Sequence, residues 1–328
     1  MPKLRDIAAA AGVSIATVSR VLHDHPGVRP ESRQKVLKAA AQLRARQVVA
    51  EQALVAVFVT DIKNPYCLEV VRGIEEEALA QGLGVIIGNM NSSARKVQAF
   101  LRFVDERKIK RVLVILGGCI DHVYHRLAQE RKRHGKVVMI GANSLGLPTV
   151  AVDEVAASQK AIKHLLDLGH RRIAIVSGPH TSSTGLNHLQ GYMRVLAEAH
   201  IPYRAELVLT GDYTAKAGYR AGQKLARLPE PPTAVFCGND LMALGLMRAM
   251  READLRIPVD ISVVGYNKIP SLQYGYIEPT SIQVPAFSLG IIAMRLLCTP
   301  QEFSQNQVLL PTELSLGESC GPAPVAIL

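Results

Sequence analysis

From residue 54 onward, short apolar runs rich in Val and Ile alternate with stretches of helical period, and this alternation restricts the chain to a parallel α/β architecture. Strands are predicted at "LVAVFVT", "GVIIGN", "RVLVIL" and "KVVMIG", with helices near residues 66–81, 95–108 and 121–134 between them. The rhythm then restarts. Strands "RRIAIVSG", "ELVLTG", "TAVFCGN" and "SVVGY" are separated by helices near 154–168, 187–199, 215–227 and 240–253. Two similar parallel-sheet units follow. Such sheets bind ligands at the carboxyl ends of their strands, so two units facing one another enclose a cleft lined by loops.

The residues ahead of this body have a different character. Residues 1–46 hold nine Lys or Arg against three acids, a net +6 out of +10 for the whole chain. Within them Leu4, Ile7, Ala8 and Ala11 recur at helical spacing, Gly12 breaks the helix, and Ser14 is a good N-cap for a second helix striped by Val18, Val21 and Leu22. Pro30 suits the first turn of a third helix, and Val36, Leu37, Ala40 and Leu43 are expected to close a small core over the first two. Ile15, Ala16, Thr17, Ser19, Arg20 and His23 are left off the second helix's apolar stripe. An Ile beside an Arg is poorly placed in water but well placed in a major groove. There Ile15 and Ala16 can touch thymine methyls and Arg20 can fork onto guanine. Ser14, Thr17, Ser19, His23, Arg29 and Arg33 are candidates for phosphate oxygens. The head reads as a helix-turn-helix.

Other classes find little support. At 328 residues and 35.6 kDa the chain accommodates two to three domains. No run of about 18 apolar residues is present to span a membrane. The start, "MPKLRDIAAAAG", lacks the pattern of a secretory signal, so a cytoplasmic, nucleoid-associated protein is expected. Five scattered cysteines, Cys67, Cys119, Cys237, Cys298 and Cys320, fit neither a disulfide framework nor a zinc site. "GLGVIIG" runs from helix into strand, the reverse of the order a dinucleotide site needs. Asp121, His122 and His125 share a helix face without a third ligand, and "SGPHTSSTG" has no nucleophile elbow. Neither an enzyme nor a metal or cofactor protein is expected.

The stretch "LRDIAAAAGVSIATVSRVLHDHPGVRPESRQKVLKAA" resembles the DNA-binding head of the LacI/GalR family of bacterial transcription regulators. Further matches follow in order: "DIKNPY" at 61–66, "LGHRRIAIVSG" at 168–178, "FCGNDLMALG" at 236–245, "ISVVGYN" at 261–267 and "TELSLGES" at 312–319. The resemblance implies an all-α head on a body of the periplasmic-binding-protein type I fold, with two doubly wound parallel-sheet subdomains around a cleft. The chain divides accordingly into a head at 1–46, a linker at 47–53, a body at 54–320 and a tail at 321–328. One subdomain comprises 54–153 plus 285–310, the other 154–284 plus 311–320.

The resemblance also implies a homodimer on a pseudo-palindromic operator in double-stranded DNA, acting as a repressor whose affinity a small molecule in the cleft modulates. That molecule is expected to be a sugar, sugar acid or sugar phosphate. Tyr66 and Tyr213 stand where family members stack aromatic rings on the ligand, and Asn239 where they hydrogen-bond it. The pattern is departed from at His188, where an Arg is usual, at Asn267, where an Asp is usual, and at Gly141, where some sugar-binding members have an Asp. These three weaken an ordinary sugar assignment, although a protonated His188 would suit a phosphate or carboxylate.

A last departure lies between head and body. The usual hinge segment wedges a Leu into the minor groove; "RARQVVAEQA" has no Pro-Asn pair and no Leu, and Leu43 and Val55 are only 12 residues apart. The sequence allows a short helix continuing from the third, with Val48 or Val49 as a substitute wedge, but a plain tether is the favoured expectation. A tether would leave open a second class, a small-molecule sensor that binds DNA weakly.

Overall fold

A computed structural model describes residues 3–324 apart from 53, 92, 116–134, 143–145, 276 and 303–304, and the side chains of these residues apart from 44–52, 273 and 302. The Asp121, His122 and His125 cluster and the helix expected at 121–134 lie outside the described residues.

The head consists of α1 (Leu4–Ala11), α2 (Ile15–Leu22) and α3 (Pro30–Gln52). Gly12 ends α1 in the left-handed region at φ +65°, its N–H donating to the Ala8 carbonyl, which gives the sharp turn into α2. Ser14 caps α2 by accepting from Thr17 N–H at 3.2 Å. Ile7, Ala8, Val18, Val21, Val36 and Ala39 are buried together. Leu37, expected in this core, is 51% exposed, and Ala39 takes the place assigned to it. The i, i+3 pair Val36 and Ala39 defines the buried stripe, and Leu37 lies about 100° around the axis from Val36.

The favoured tether is not what forms: α3 runs without a break to Gln52, next to the first body strand. Residues 44–52, "RARQVVAEQ", contain no Gly, Pro or Asn, so a helix already nucleated over Pro30–Leu43 propagates through them.

In the body, β1 (Leu54–Val59), α4 (Pro65–Ala80), β2 (Gly84–Asn89), α5 (Ala94–Glu106), β3 (Arg111–Ile115), β4 (Lys136–Ile140) and β5 (Thr149–Val152) form the first lobe. Its parallel sheet takes in β11 (Gln307–Leu310) from late in the chain and has the order β11-β5-β4-β3-β1-β2. The second lobe holds α6 (Glu154–Asp167), β6 (Ile173–Ser177), α7 (Ser183–Glu198), β7 (Val208–Thr210), α8 (Ala215–Ala226), β8 (Ala234–Cys237), α9 (Asp240–Glu252), β9 (Ser262–Asn267) and β10 (Thr280–Gln283). The chain then returns to the first lobe with α10 (Ala286–Cys298) and β11 (Gln307–Leu310), and crosses back for β12 (Glu313–Ser315). The second sheet has the order β12-β10-β9-β8-β6-β7, parallel except for β12 against β10. Three strand exchanges therefore join the lobes, after Val152, Gln283 and Leu310.

Close helix crossings hold each lobe. A Cβ on Gly73 of α4 would meet the Phe287 carbonyl, and one on Gly290 of α10 would meet that of Val70. In the second lobe Gly218 of α8 and Gly245 of α9 meet the carbonyls of Met242 and Ala215 in the same way. Residues 321–323 are tied to the second lobe. His170 bonds the Gly321 carbonyl at 3.1 Å and Ala323 N–H donates to the Leu168 carbonyl at 2.8 Å.

Candidate DNA-binding face and ligand cleft

On α2 the buried stripe of Val18 and Val21 turns the opposite face outward. Ile15 is 50% exposed, and Ala16 and Arg20 are exposed beside it. Ile15, Ala16 and Arg20 therefore share one outward face of the helix. The phosphate candidates fare unequally. Arg29 is exposed, and Ser14 and Thr17 share a 2.9 Å hydroxyl bond at the start of α2. His23 Nδ1 bonds the Ser19 carbonyl of its own helix at 2.8 Å. Arg33 is committed inside the head, donating to Asp24 at 2.8 Å and to the His25 carbonyl at 2.7 Å, so it braces the loop before α3.

The cleft between the lobes narrows to an inner chamber of about 50 Å³. Helices α4, α6, α7 and α9 all begin at it, because every helix in such a sheet starts where a strand's carboxyl end stops. Tyr66 and Tyr213 line it, as expected, and burial pushes both hydroxyls well above the ordinary tyrosine range. Tyr213 sits at φ +65° with its hydroxyl against Gly178, a position no larger residue leaves open, and 3.3 Å from Ser182 Oγ. Asn267 lines the chamber at φ +102°.

Asn239 reaches the chamber with each polar atom already making one bond: Oδ1 accepts from Met242 N–H and Nδ2 donates to the Tyr213 carbonyl, both at 2.9 Å. It is the N-cap of α9. Asp240 is buried, accepting from Ile269 N–H and Ser281 Oγ, each at 2.7 Å.

His188 does not reach the chamber. It is fully buried, packed 4.6 Å from the Tyr266 ring and 5.8 Å from Phe236, and neither ring nitrogen has a partner. Desolvation pushes its pKa down to about 3, so the protonated, anion-binding role expected of it is overturned.

Sequence reasoning missed Glu154. This first residue of α6 lines the chamber at 7% exposure, its oxygens accepting from Thr184 Oγ1 at 2.8 Å and Asn187 Nδ2 at 2.9 Å. Burial raises its pKa, against the pull of those two bonds. The signal was an acidic pair, Asp153-Glu154, directly after an apolar strand.

Desolvation also pushes the Asp240 carboxyl up to about 6, outweighing the bonds from Ile269 and Ser281. Between about pH 4 and 6 the folded state therefore holds this proton more tightly than the unfolded chain, and the proton's contribution to stability is lost as pH rises through 6. In urea denaturation at stepped pH, the stability of the native protein relative to Asp240→Asn should fall by about 2 kcal/mol from pH 4 to 7; a constant difference would show that Asp240 keeps an ordinary pKa.

A basic three-helix head on a two-lobed α/β body with a chamber between its lobes defines a ligand-responsive DNA-binding regulator. The chain belongs to the LacI family: residues 3–44 match the bacterial regulatory proteins of the lacI family, and residues 162–320 match the periplasmic binding protein-like domain. It is 34% identical over 303 residues to the HTH-type transcriptional repressor CytR of Escherichia coli strain K12, covering 90% of this chain and 88% of that protein. It is 32% identical over 306 residues to catabolite control protein A of Priestia megaterium, covering 89% and 90%. Among solved structures, the complex of the transcriptional regulator CelR with cellobiose superposes with a TM-score of 0.73 at 28% identity, over 97% of this chain and 100% of that one.

Proposed function

We propose that the protein represses transcription as a homodimer on a two-fold operator, reading bases through Ile15, Ala16 and Arg20, with its DNA affinity set by a small molecule in the inter-lobe cleft. It works by binding and not by catalysis, in the bacterial cytoplasm at the nucleoid. The observation that carries this reading is the face of α2, where Ile15 is half exposed beside an exposed Arg20 while Val18 and Val21 are buried behind them. Exposed Arg29 and the paired hydroxyls of Ser14 and Thr17 are placed to hold phosphates. Tyr66, Tyr213 and Asn267 line the ligand's side of the cleft, with Asn239 in support as the cap of α9.

The test is selection of sites from a random duplex library by the full-length protein at near-physiological salt, followed by affinity against salt concentration. An enriched palindrome with two half-sites supports the proposal. Salt-steep binding to any duplex with no enrichment refutes it. On the selected site Arg20→Ala is expected to lose about 1–3 kcal/mol and to relax preference at one position, with little change on unrelated duplex. Equal losses on both would remove Arg20 from base reading.

A further inference from the structure

Glu154 is the one acidic side chain that lines the inner chamber, and among the described residues around that chamber there is no Lys, Arg or His to balance it. We propose that the effector carries a planar nitrogen-donor head (an amidinium, a guanidinium, or an aminoheterocycle protonated beside its amino group) and that Glu154 receives this head inside the chamber. The proposal rests on the effector-cleft reading above and narrows it from sugars, sugar acids and sugar phosphates to one kind of ligand.

The carboxylate is built to accept more than it now does. Each oxygen takes one hydrogen bond, from Thr184 or from Asn187, and keeps a further lone pair. Two N–H groups on one planar edge match those two oxygens together. A second group is in wait: Tyr266 lines the same chamber, and its hydroxyl is buried with no hydrogen-bond partner. The rings of Tyr66 and Tyr213 add aromatic walls suited to a flat cation.

Anions are disfavoured by the same inventory, since the imidazole of His188 is neutral and walled off behind Tyr266. The amino ends of α4, α6, α7 and α9 at the chamber would by themselves attract negative charge. Glu154, at the first position of α6, already supplies that charge from within the protein.

Size agrees. At about 15 Å³ for each water-sized site, an inner chamber of about 50 Å³ admits about three water-sized groups, enough for the N–C–N edge that faces the carboxylate. A second cavity of about 270 Å³ shares Tyr66, Asn267 and Val284 with it and offers room for the rest of the ligand.

The test is calorimetric titration and thermal shift of the full-length protein with agmatine, benzamidine and 2-aminopyridine, set against glucose 6-phosphate, glucuronate, cellobiose and ribose. At least one nitrogen-donor probe is expected to bind and raise Tm, while the two anions and two sugars do not. Glu154→Gln should weaken that probe by roughly thirtyfold or more, and Tyr266→Phe, which removes a hydroxyl with no internal partner, should weaken it severalfold at unchanged Tm without ligand. Binding of a sugar or anion in place of the nitrogen donors, binding of none of the seven, or undiminished affinity in Glu154→Gln overturns the proposal. Operator binding measured in parallel separates the two readings. Specific DNA binding without a response to nitrogen donors sinks only the ligand assignment, whereas a nitrogen-donor response without specific DNA binding sinks only the regulator.

Discussion

Gly245→Ala is expected to destabilise the second lobe by about 3 kcal/mol, lowering its Tm by roughly 6–12 °C. The cause is backbone on backbone. A Cβ on Gly245 of α9 would fall onto the Ala215 carbonyl at the start of α8, and Gly218 of α8 meets the Met242 carbonyl in return. A flexible side chain could swing aside; a carbonyl at a helix start cannot, so the two helices must separate along their contact. Met242, Leu246 and Met250 on α9 and Leu225 on α8 are all fully buried and would lose packing with the shift. Calorimetry of the full-length protein checks this. An unchanged transition would mean that the crossing is looser than the structure has it.

Val18→Asp is expected to abolish specific operator binding while leaving the body's unfolding transition where it is. Val18 has no exposed surface, and among the described residues six side chains make up the buried core of the head. A carboxylate placed there has no cation to pair with and costs about 3 kcal/mol or more. A unit of this size folds with little margin. Affinity for the selected site should fall to the non-specific level, a loss of about 10³-fold or more. Retained sequence preference would show that α2 does not depend on this core for its presentation.

Expectations drawn from caps, turns and strand patterns were met, because the deciding forces there are local. Ser14 caps α2, Gly12 turns the chain, and the alternating apolar runs become two parallel sheets. Local reasoning also had the information for the continuous α3, since residues 44–52 contain no breaker; the expected tether came from the missing hinge pattern, which says what a segment does not do and not what it does. Leu37 shows how small an error in phase matters, because one residue's rotation moved it from the expected core to half exposure.

The cleft was only partly legible. Tyr66, Tyr213 and Asn267 stand at its wall, and the turn "GND" caps a helix through Asn239. His188 and Glu154 exchanged the roles their types suggest. The histidine expected to bind an anion is sealed among Tyr266 and Phe236, and the unremarked glutamate faces the chamber. Nothing near either residue in the chain reports this. Glu154 takes its partners from 30 and 33 positions away, and His188 is buried by strands β8 and β9, far along the sequence. By itself the sequence determined the elements, the two-lobed α/β class and the outward face of α2, because period, caps and turns act within a few residues. Only the tertiary structure decided which ionisable groups lose water and which face the cleft, because desolvation depends on every chain segment that closes over a group.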